Sequence, residues 1–177
     1  MSNDPARHHR RSIRLKGYDY SQAGAYFVTI CARDREYLFG EIVDGEMRLN
    51  GFGEMVREEW EKTADLREYV ELGEWVVMPN HFHGIVIICR GTARRTPTVE
   101  QFGKPTVGTI PTIVRSFKSA VTKRINEKRA TPGAPVWQRN YWEHIIRDEK
   151  SHSKISEYIA NNPAQWAMDK MYLGDNP

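Results

Sequence analysis

Residues 81–88 read His-Phe-His-Gly-Ile-Val-Ile-Ile, and the β-branched second half of this segment predicts a β-strand. Alternate side chains of a strand share one face, so His81 and His83 are expected to point the same way, with Phe82 in the opposite layer. Their Cα atoms would lie about 6.6 Å apart, because each residue of a strand rises roughly 3.3 Å. Two imidazoles at that spacing can bind one metal ion. A pattern this short is also typical of two ordinary histidines at the end of a strand.

The length and composition fit one globular domain. The chain has 177 residues, of which 40% are hydrophobic and 11% aromatic, so it can bury a core. No apolar run approaches the roughly 20 residues that a transmembrane helix needs, and the polar, basic N-terminus is not a secretory signal. We therefore expect a cytoplasmic protein without membrane contact. Cys31 and Cys89, the two cysteines, are expected to be reduced thiols within strands.

The order of hydrophobic patterns predicts an α+β fold. Strands are predicted at residues 26–32, 75–78, 81–89 and 136–146, a hairpin at 40–49 around Asp44-Gly45, and helices at 52–64, 110–125 and 151–161. Apart from the hairpin, this order contains the β-α-β-β-α-β unit of ferredoxin-like folds. We expect a ferredoxin-like antiparallel sheet with helices packed on it and an added C-terminal helix. Residues 1–16 would form a basic, flexible arm, and residues 17–177 a single domain with a flexible loop near 91–108.

Charge is distributed unevenly along the chain. The first 16 residues and the segment 90–129 are basic, whereas residues 54–74 are acidic. A basic face opposite an acidic one suits a polyanion such as nucleic acid, although an ordinary solvated surface would explain the charges equally well. The candidate DNA contacts are the basic residues of the arm and of the second predicted helix: Arg10, Arg11, Arg14, Arg115, Lys118, Lys123 and Arg124.

Tyr158 and Asn162 are four residues apart, which places them one above the other on a single helical face. A tyrosine hydroxyl, with a usual pKa of about 10, is a poor nucleophile until a metal ion polarises the electrophile. The amide oxygen of Asn162 could complete a site begun by two imidazoles, and Mg²⁺, Mn²⁺ or Zn²⁺ would accept these ligands. A bare Tyr-x-x-x-Asn is more typical of a tyrosine that packs against the core.

Taken together, the motifs resemble those of the single-tyrosine HUH transposases, and among them the REP-associated tyrosine transposases. The resemblance covers about residues 17–166. It rests on Gly17-Tyr18-Asp19-Tyr20, Tyr26-Phe27-Val28-Thr29, Val77-Met78-Pro79-Asn80-His81-Phe82-His83-Gly84, Phe117-Lys118-Ser119, Trp137-Gln138-Arg139-Asn140-Tyr141 and Tyr158-Ile159-Ala160-Asn161-Asn162-Pro163. Each motif is weak alone, but the order and spacing are specific.

The resemblance implies a site and a reaction. His81, His83 and Asn162 would bind a divalent cation, Mg²⁺ or Mn²⁺, and Tyr158 on the C-terminal helix would attack a phosphate of single-stranded DNA. The implied substrates are palindromic sequences folded as hairpins, and the implied intermediate is a reversible 5′-phosphotyrosine. The protein would then be a DNA endonuclease and strand transferase, working as a monomer or a homodimer.

Two other functions are compatible with the sequence. A protein that binds repetitive hairpin DNA without cleaving it could keep the same fold and basic face. A replication-initiation nickase is less favoured, because nothing indicates a helicase or a second catalytic tyrosine. Among the remaining aromatic residues, Tyr141 is interpreted as a core-packing or base-stacking residue. His144 is interpreted as a satisfied structural histidine rather than a third metal ligand.

Overall fold

The computed structural model describes residues 18–89 and 108–174, and the predicted basic arm and all but the end of the predicted loop lie outside them. The strands are β1 (Gly24–Cys31), β2 (Gly40–Val43), β3 (Glu46–Leu49), β4 (Val70–Met78), β5 (His81–Ile88) and β6 (Trp142–Ile146), and the helices are α1 (Gly51–Asp65), α2 (Ile110–Arg129) and α3 (Glu149–Asn161). None of the helices in the described ranges is both long and apolar enough to cross a membrane.

A four-stranded antiparallel sheet organises the fold, with the strand order β4-β5-β1-β6. Helix α1 connects β1 to β4 by way of the β2–β3 hairpin, and α2 connects β5 to β6. This arrangement confirms the predicted α+β fold with a ferredoxin-like sheet. The central strands are β1 and β5, so the histidines lie on a strand that is paired on both sides.

The two faces of the sheet pack against different helices. One face joins α1 and α2 in the main core, which contains Val28, Phe82 and Phe117. The other face, called the α3 face here, packs against α3 through Phe27 and Ile159. Alternation along β5 therefore sends Phe82 into the main core and both histidines to the α3 face, as the sequence predicts.

Local signals set the hairpin and the first helix. Asp44 and Gly45 both have positive φ values, 54° and 78°, which is the conformation that a two-residue turn between right-twisted strands requires. Asn50 accepts hydrogen bonds from the backbone N–H groups of Phe52 and Gly53, and so caps α1. The turn at Asp44-Gly45 agrees with the prediction from sequence.

Two strands differ from the prediction. Strand β4 begins at Val70, earlier than predicted, because a register irregularity between Leu72 and Trp75 interrupts the alternation along it. Strand β6 begins only at Trp142, so the predicted strand at 136–146 is too long. Residues 136–141 instead cross the end of β1, where Trp137 forms an isolated bridge with Ala32. The third helix begins slightly earlier than predicted, at Glu149.

Gly84 allows the main core to close over β5. A Cβ atom at this position would lie 2.7 Å from Cζ2 of Trp60 and 2.8 Å from the ring of Phe82. The Trp60 and Phe82 rings are themselves packed with centroids 4.5 Å apart, and both side chains are fully buried. Neither ring can move away from an added methyl group without disturbing the other.

We expect Gly84→Ala to lower the free energy of unfolding by about 1–3 kcal/mol, the usual cost of overpacking a core. Urea unfolding followed by circular dichroism measures the change. Gly51→Ala is the matched control, because the nearest atom to its new Cβ is the mobile Nζ of Lys128. Equal stability of the two variants would contradict the packing role of Gly84.

Candidate active site

His81 and His83 lie side by side on the α3 face, both buried, with their Nε2 atoms 3.0 Å apart. The Nδ1 atom of His81 is 2.8 Å from Oδ1 of Asn80, while the amide nitrogen of Asn80 donates to the carbonyl of Met171. Since the Asn80 oxygen can only accept, His81 carries its hydrogen on Nδ1. Its Nε2 atom is therefore left with a free lone pair.

His83 has two possible tautomers, because its Nδ1 atom contacts the hydroxyl of Thr29 at 2.8 Å. A hydroxyl can donate or accept. If Thr29 donates, His83 carries its hydrogen on Nε2 and can donate a hydrogen bond to Nε2 of His81. If Thr29 accepts, both Nε2 lone pairs face the same point, which is the arrangement that a metal ion needs.

Burial keeps both imidazoles in the neutral form that binds metals. Desolvation lowers the pKa of His81 to about 4, against a smaller opposing effect of Asp169. Desolvation, and then the neighbouring His81, lower the pKa of His83 well below its usual value. At neutral pH neither ring carries a charge, so no proton has to be displaced before a cation binds.

Tyr158 approaches the histidine pair from α3. Its hydroxyl lies 3.2 Å from Nε2 of His83 and donates to Oδ2 of Asp169, also at 3.2 Å. Its ring contacts the rings of His83 and Phe27, with centroids 5.3 and 6.3 Å apart, yet 41% of the residue remains exposed. Burial first, and then the charge of Asp169, raise the pKa of Tyr158 to about 12, so the resting hydroxyl is protonated.

Asn162 lies one turn beyond Tyr158, at the C-terminal cap of α3, and is buried. Its Nδ2 atom donates to Oδ2 of Asp169 at 3.0 Å. Its Oδ1 atom is buried and has no hydrogen-bond partner among the residues that the structure describes. A buried acceptor of this kind is costly unless another group occupies it, so the chemistry of Asn162 fits a cation ligand.

Asp169 is a member of the site that the sequence did not reveal. Its carboxylate and the ring nitrogens of His81 and His83 supply ligand atoms that all lie within 4.8 Å of one another. Its other oxygen accepts from the backbone N–H of Met171 at 2.6 Å, which fixes the carboxylate. Asp169 follows a short 3-10 turn, Trp166–Met168, in a segment with no periodicity, so no spacing rule points to it.

Known proteins resemble this chain in sequence and in fold. No protein-family model matches the chain. A Haemophilus influenzae protein described as uncharacterized is 45% identical over 172 residues, which are 94% of this chain and 94% of that protein. The chain belongs to the same family as that protein.

Two further comparisons carry a functional description. A second Haemophilus influenzae protein, named "Putative REP-associated tyrosine transposase", is 23% identical over 147 residues, which are 83% of this chain and 74% of that protein. A solved structure of a REP-associated tyrosine transposase bound to a REP hairpin covers 89% of this chain and 76% of its own, with 24% identity and a TM-score of 0.59. The chain is a relative of the REP-associated tyrosine transposases.

The basic residues predicted to contact DNA do not all lie together in this transposase relative. Arg115, Lys118 and Lys123 line a cleft of about 860 Å³ between α2 and residues 130–141, called the α2 cleft here. Arg124, on the same helix, instead forms ion pairs with Glu58 at 2.6 Å and Glu59 at 2.9 Å on α1. The predicted contacts of the arm, Arg10, Arg11 and Arg14, lie outside the described residues.

Lys118 is the most deeply set of the basic residues in the α2 cleft. Its ammonium group donates to the backbone carbonyls of Gln138 at 2.7 Å and Arg139 at 3.2 Å. Burial lowers the pKa of Lys118 to about 8. Tyr141 lines the same cleft and also packs against the main core, in line with the interpretation of that residue from sequence.

His144 is not the satisfied structural histidine that the sequence suggested. It is exposed on β6 and stacks on Trp142, and it is absent from the cluster formed by His81, His83 and Asp169. The reason is that β6 forms an edge of the sheet, so alternate residues on its α3 face remain in contact with solvent.

Both Cys31 and Cys89 are free thiols, as expected.

Proposed function

We propose that this protein is a divalent-metal-dependent endonuclease and strand transferase for single-stranded DNA, with Tyr158 as its nucleophile and palindromic hairpin DNA as its substrate. The observation that carries the proposal is the convergence of a tyrosine hydroxyl, two neutral imidazoles and a carboxylate. The amide of Asn162 contacts this carboxylate, and its own oxygen is buried without a partner in the described part of the chain. These groups come from β5, α3 and the segment after α3. Relationship to the REP-associated tyrosine transposases supports the same reaction class.

The metal ligands would be Nε2 of His81, Nε2 of His83, the Asp169 carboxylate and the amide oxygen of Asn162. Carboxylate and amide oxygens suit Mg²⁺ or Mn²⁺, and imidazole is compatible with Mn²⁺. When bound, such a cation would withdraw charge from the oxygens of the attacked phosphate. The Thr29 hydroxyl supports this assignment because it can accept a hydrogen bond as well as donate one. His83 can therefore carry its hydrogen on Nδ1, keep the hydrogen bond to Thr29, and leave the Nε2 lone pair available for the ion.

The chemical step can be written from the side chains of the chain itself. The Tyr158 oxygen forms a bond to phosphorus while the bond from phosphorus to the 3′ oxygen of the preceding nucleotide breaks. The phenolic proton moves to Oδ2 of Asp169, to which it already donates, and the departing 3′ oxygen takes a proton from water. The product is a 5′-phosphotyrosine with a free 3′-hydroxyl, and the reverse attack by a 3′-hydroxyl joins strands.

The position of Asp169 has two opposing effects on Tyr158. Its negative charge helps to raise the pKa of the phenol, so the tyrosine is unreactive at rest. The same carboxylate accepts the proton when the phosphate is in place. The cation that these residues would hold would supply positive charge beside the phenol, which favours its deprotonated form.

The α2 cleft would bind the phosphates of the hairpin. Arg115 and Lys123 are exposed at its rim, and Lys118 lies deeper, so positive charge follows the length of α2. Its lining also includes the apolar and aromatic residues Val136, Trp137 and Tyr141, of which Tyr141 is only half-buried. A groove that combines basic side chains with aromatic surface suits a nucleic acid strand better than a duplex with buried bases.

Tyr158→Phe should bind hairpin DNA normally but form no covalent adduct. The change removes only the attacking oxygen and keeps the ring contacts with Phe27 and His83. A DNA-linked band on a denaturing gel measures the adduct. Tyr69→Phe, which alters a tyrosine packed on the main core, is the matched control and should retain the band. Persistence of the band in Tyr158→Phe would exclude Tyr158 as the nucleophile.

Loss of the metal ligands should abolish cleavage and metal binding together. We expect His81→Ala and His83→Ala each to remove detectable binding of Mn²⁺ in calorimetry, since one imidazole is lost from the pair. His152→Ala provides the control, because His152 lies in α3 outside the cluster. Thermal melting checks that each variant is folded. Cleavage at the full rate in excess chelator would contradict the proposed metal dependence.

DNA binding should depend on salt through the residues of the α2 cleft. Arg115→Gln and Lys123→Gln are each expected to reduce the slope of log binding constant against log salt concentration by roughly 0.7–0.9, the value for one lost phosphate contact. Arg124→Gln is a control on the same helix, and its slope should change little because its guanidinium is paired with Glu58 and Glu59. Fluorescence anisotropy with a labelled hairpin measures the slopes. An equal change in all three variants would argue against the cleft.

A further inference from the structure

Strand β6 exposes two aromatic rings on the α3 face, beside the candidate active site. Trp142 is 45% exposed, and His144 is exposed two residues further along the strand. In the sheet register Trp142 lies opposite Thr29, and Thr29 lies opposite His83. One row of neighbouring residues across the sheet therefore contains His83, which is a proposed metal ligand, Thr29, which contacts its ring, and the exposed indole of Trp142.

The rings of Trp142 and His144 are stacked along the strand. Their planes are parallel to within 4° and their centroids are 5.9 Å apart. Phe27 holds Trp142 from below with an edge-on contact at 5.6 Å, and it makes a similar contact with the ring of Tyr158 at 6.3 Å. Trp142 and Tyr158 thus flank the same buried phenylalanine, so the aromatic surface lies next to the nucleophile.

Packing alone does not account for this arrangement. Only part of the Trp142 ring is used in its contact with Phe27. Trp142 nevertheless leaves nearly half of its surface in water, on an edge strand, where exposed apolar surface invites unwanted strand pairing. A large flat ring exposed at such a position is suited to stacking on a flat partner.

We propose that Trp142 and His144 form a stacking platform for a base of single-stranded DNA, next to the phosphate that Tyr158 would attack; the identity of that phosphate rests on the proposed function. Stacking on an aromatic ring requires an unpaired base with an exposed face, which a duplex does not offer. Holding the base beside the scissile phosphate would restrict the strand to one position relative to Tyr158. The platform would therefore select an unpaired flank over the stem of a hairpin.

Binding can be measured separately from chemistry in the Tyr158→Phe protein, which retains the Phe27 contacts. The DNA is a hairpin with a single-stranded flank, prepared intact and as a series with one abasic nucleotide at each flank position. Trp142→Ala in this background should weaken binding of the intact DNA roughly tenfold, within the usual range for one base–aromatic stack. Trp142→Phe should recover most of the affinity, and Leu66→Ala, which truncates an exposed apolar residue after α1, should not change it.

One abasic position should produce the same loss in the Tyr158→Phe protein. That position should cause no further loss once Trp142 is replaced by alanine, because the two changes remove the same contact. His144→Ala should show the same pattern with a smaller effect. Circular dichroism and thermal melting establish whether Trp142→Ala is folded. If it is not, the abasic series on the Tyr158→Phe protein, which retains Trp142, still tests whether one flanking base is bound.

The outcomes separate this proposal from the proposed function. The stacking platform is wrong if no abasic position weakens binding. It is also wrong if Trp142→Ala leaves the response to the abasic series the same as in the Tyr158→Phe protein. Either result is independent of whether Tyr158 is the nucleophile. If the platform behaves as expected but the unmodified protein forms no adduct, the stacking site is retained and the nuclease assignment fails. If the critical abasic position also slows adduct formation in the unmodified protein, stacking and cleavage act on neighbouring nucleotides.

Discussion

The contact between the two buried imidazoles sets the arrangement around them. Nε2 of His81 and Nε2 of His83 face each other at 3.0 Å, away from water. Asn80 orients the first ring through Nδ1 and is itself held by the carbonyl of Met171, while Thr29 contacts the second ring. The β1–β5 register, the turn before β5 and the segment after α3 must all be correct for this pair to form. The candidate site is therefore a consequence of the whole fold.

Strand alternation allows one strand to serve stability and chemistry at once. On β5, Phe82 and Val86 belong to the main core, while His81 and His83 occupy the opposite face. Gly84 contributes to the stability of the core, because the lack of a side chain there lets Trp60 pack closely on Phe82. His81 and His83, two of the proposed ligands, are thus held by a strand at the centre of the sheet. Rigid ligands favour catalysis, since a displaced group would lose its alignment with the reacting phosphate.

The parts of the fold that depend on local pattern could be predicted from the sequence. The β-branched run of β5 and the Asp44-Gly45 turn act over a few residues, and both were placed correctly. Asp169 could not be found in this way, because it reaches the histidines only through the path of the chain beyond α3. The pairing of Arg124 with α1 was likewise hidden, since it depends on how two helices pack together.

The proposed nucleophile and the histidine pair lie on elements that are attached differently. Helix α3 carries Tyr158 and packs on the sheet through a small cluster that includes Phe27 and Ile159, whereas α1 and α2 share the main core. A helix held by fewer buried contacts can shift at lower cost than the sheet beneath it. An attacking oxygen has to approach the phosphate, while the groups that hold the phosphate have to remain still. Placing the two histidines on a central strand and the tyrosine on a peripheral helix meets both requirements within one domain.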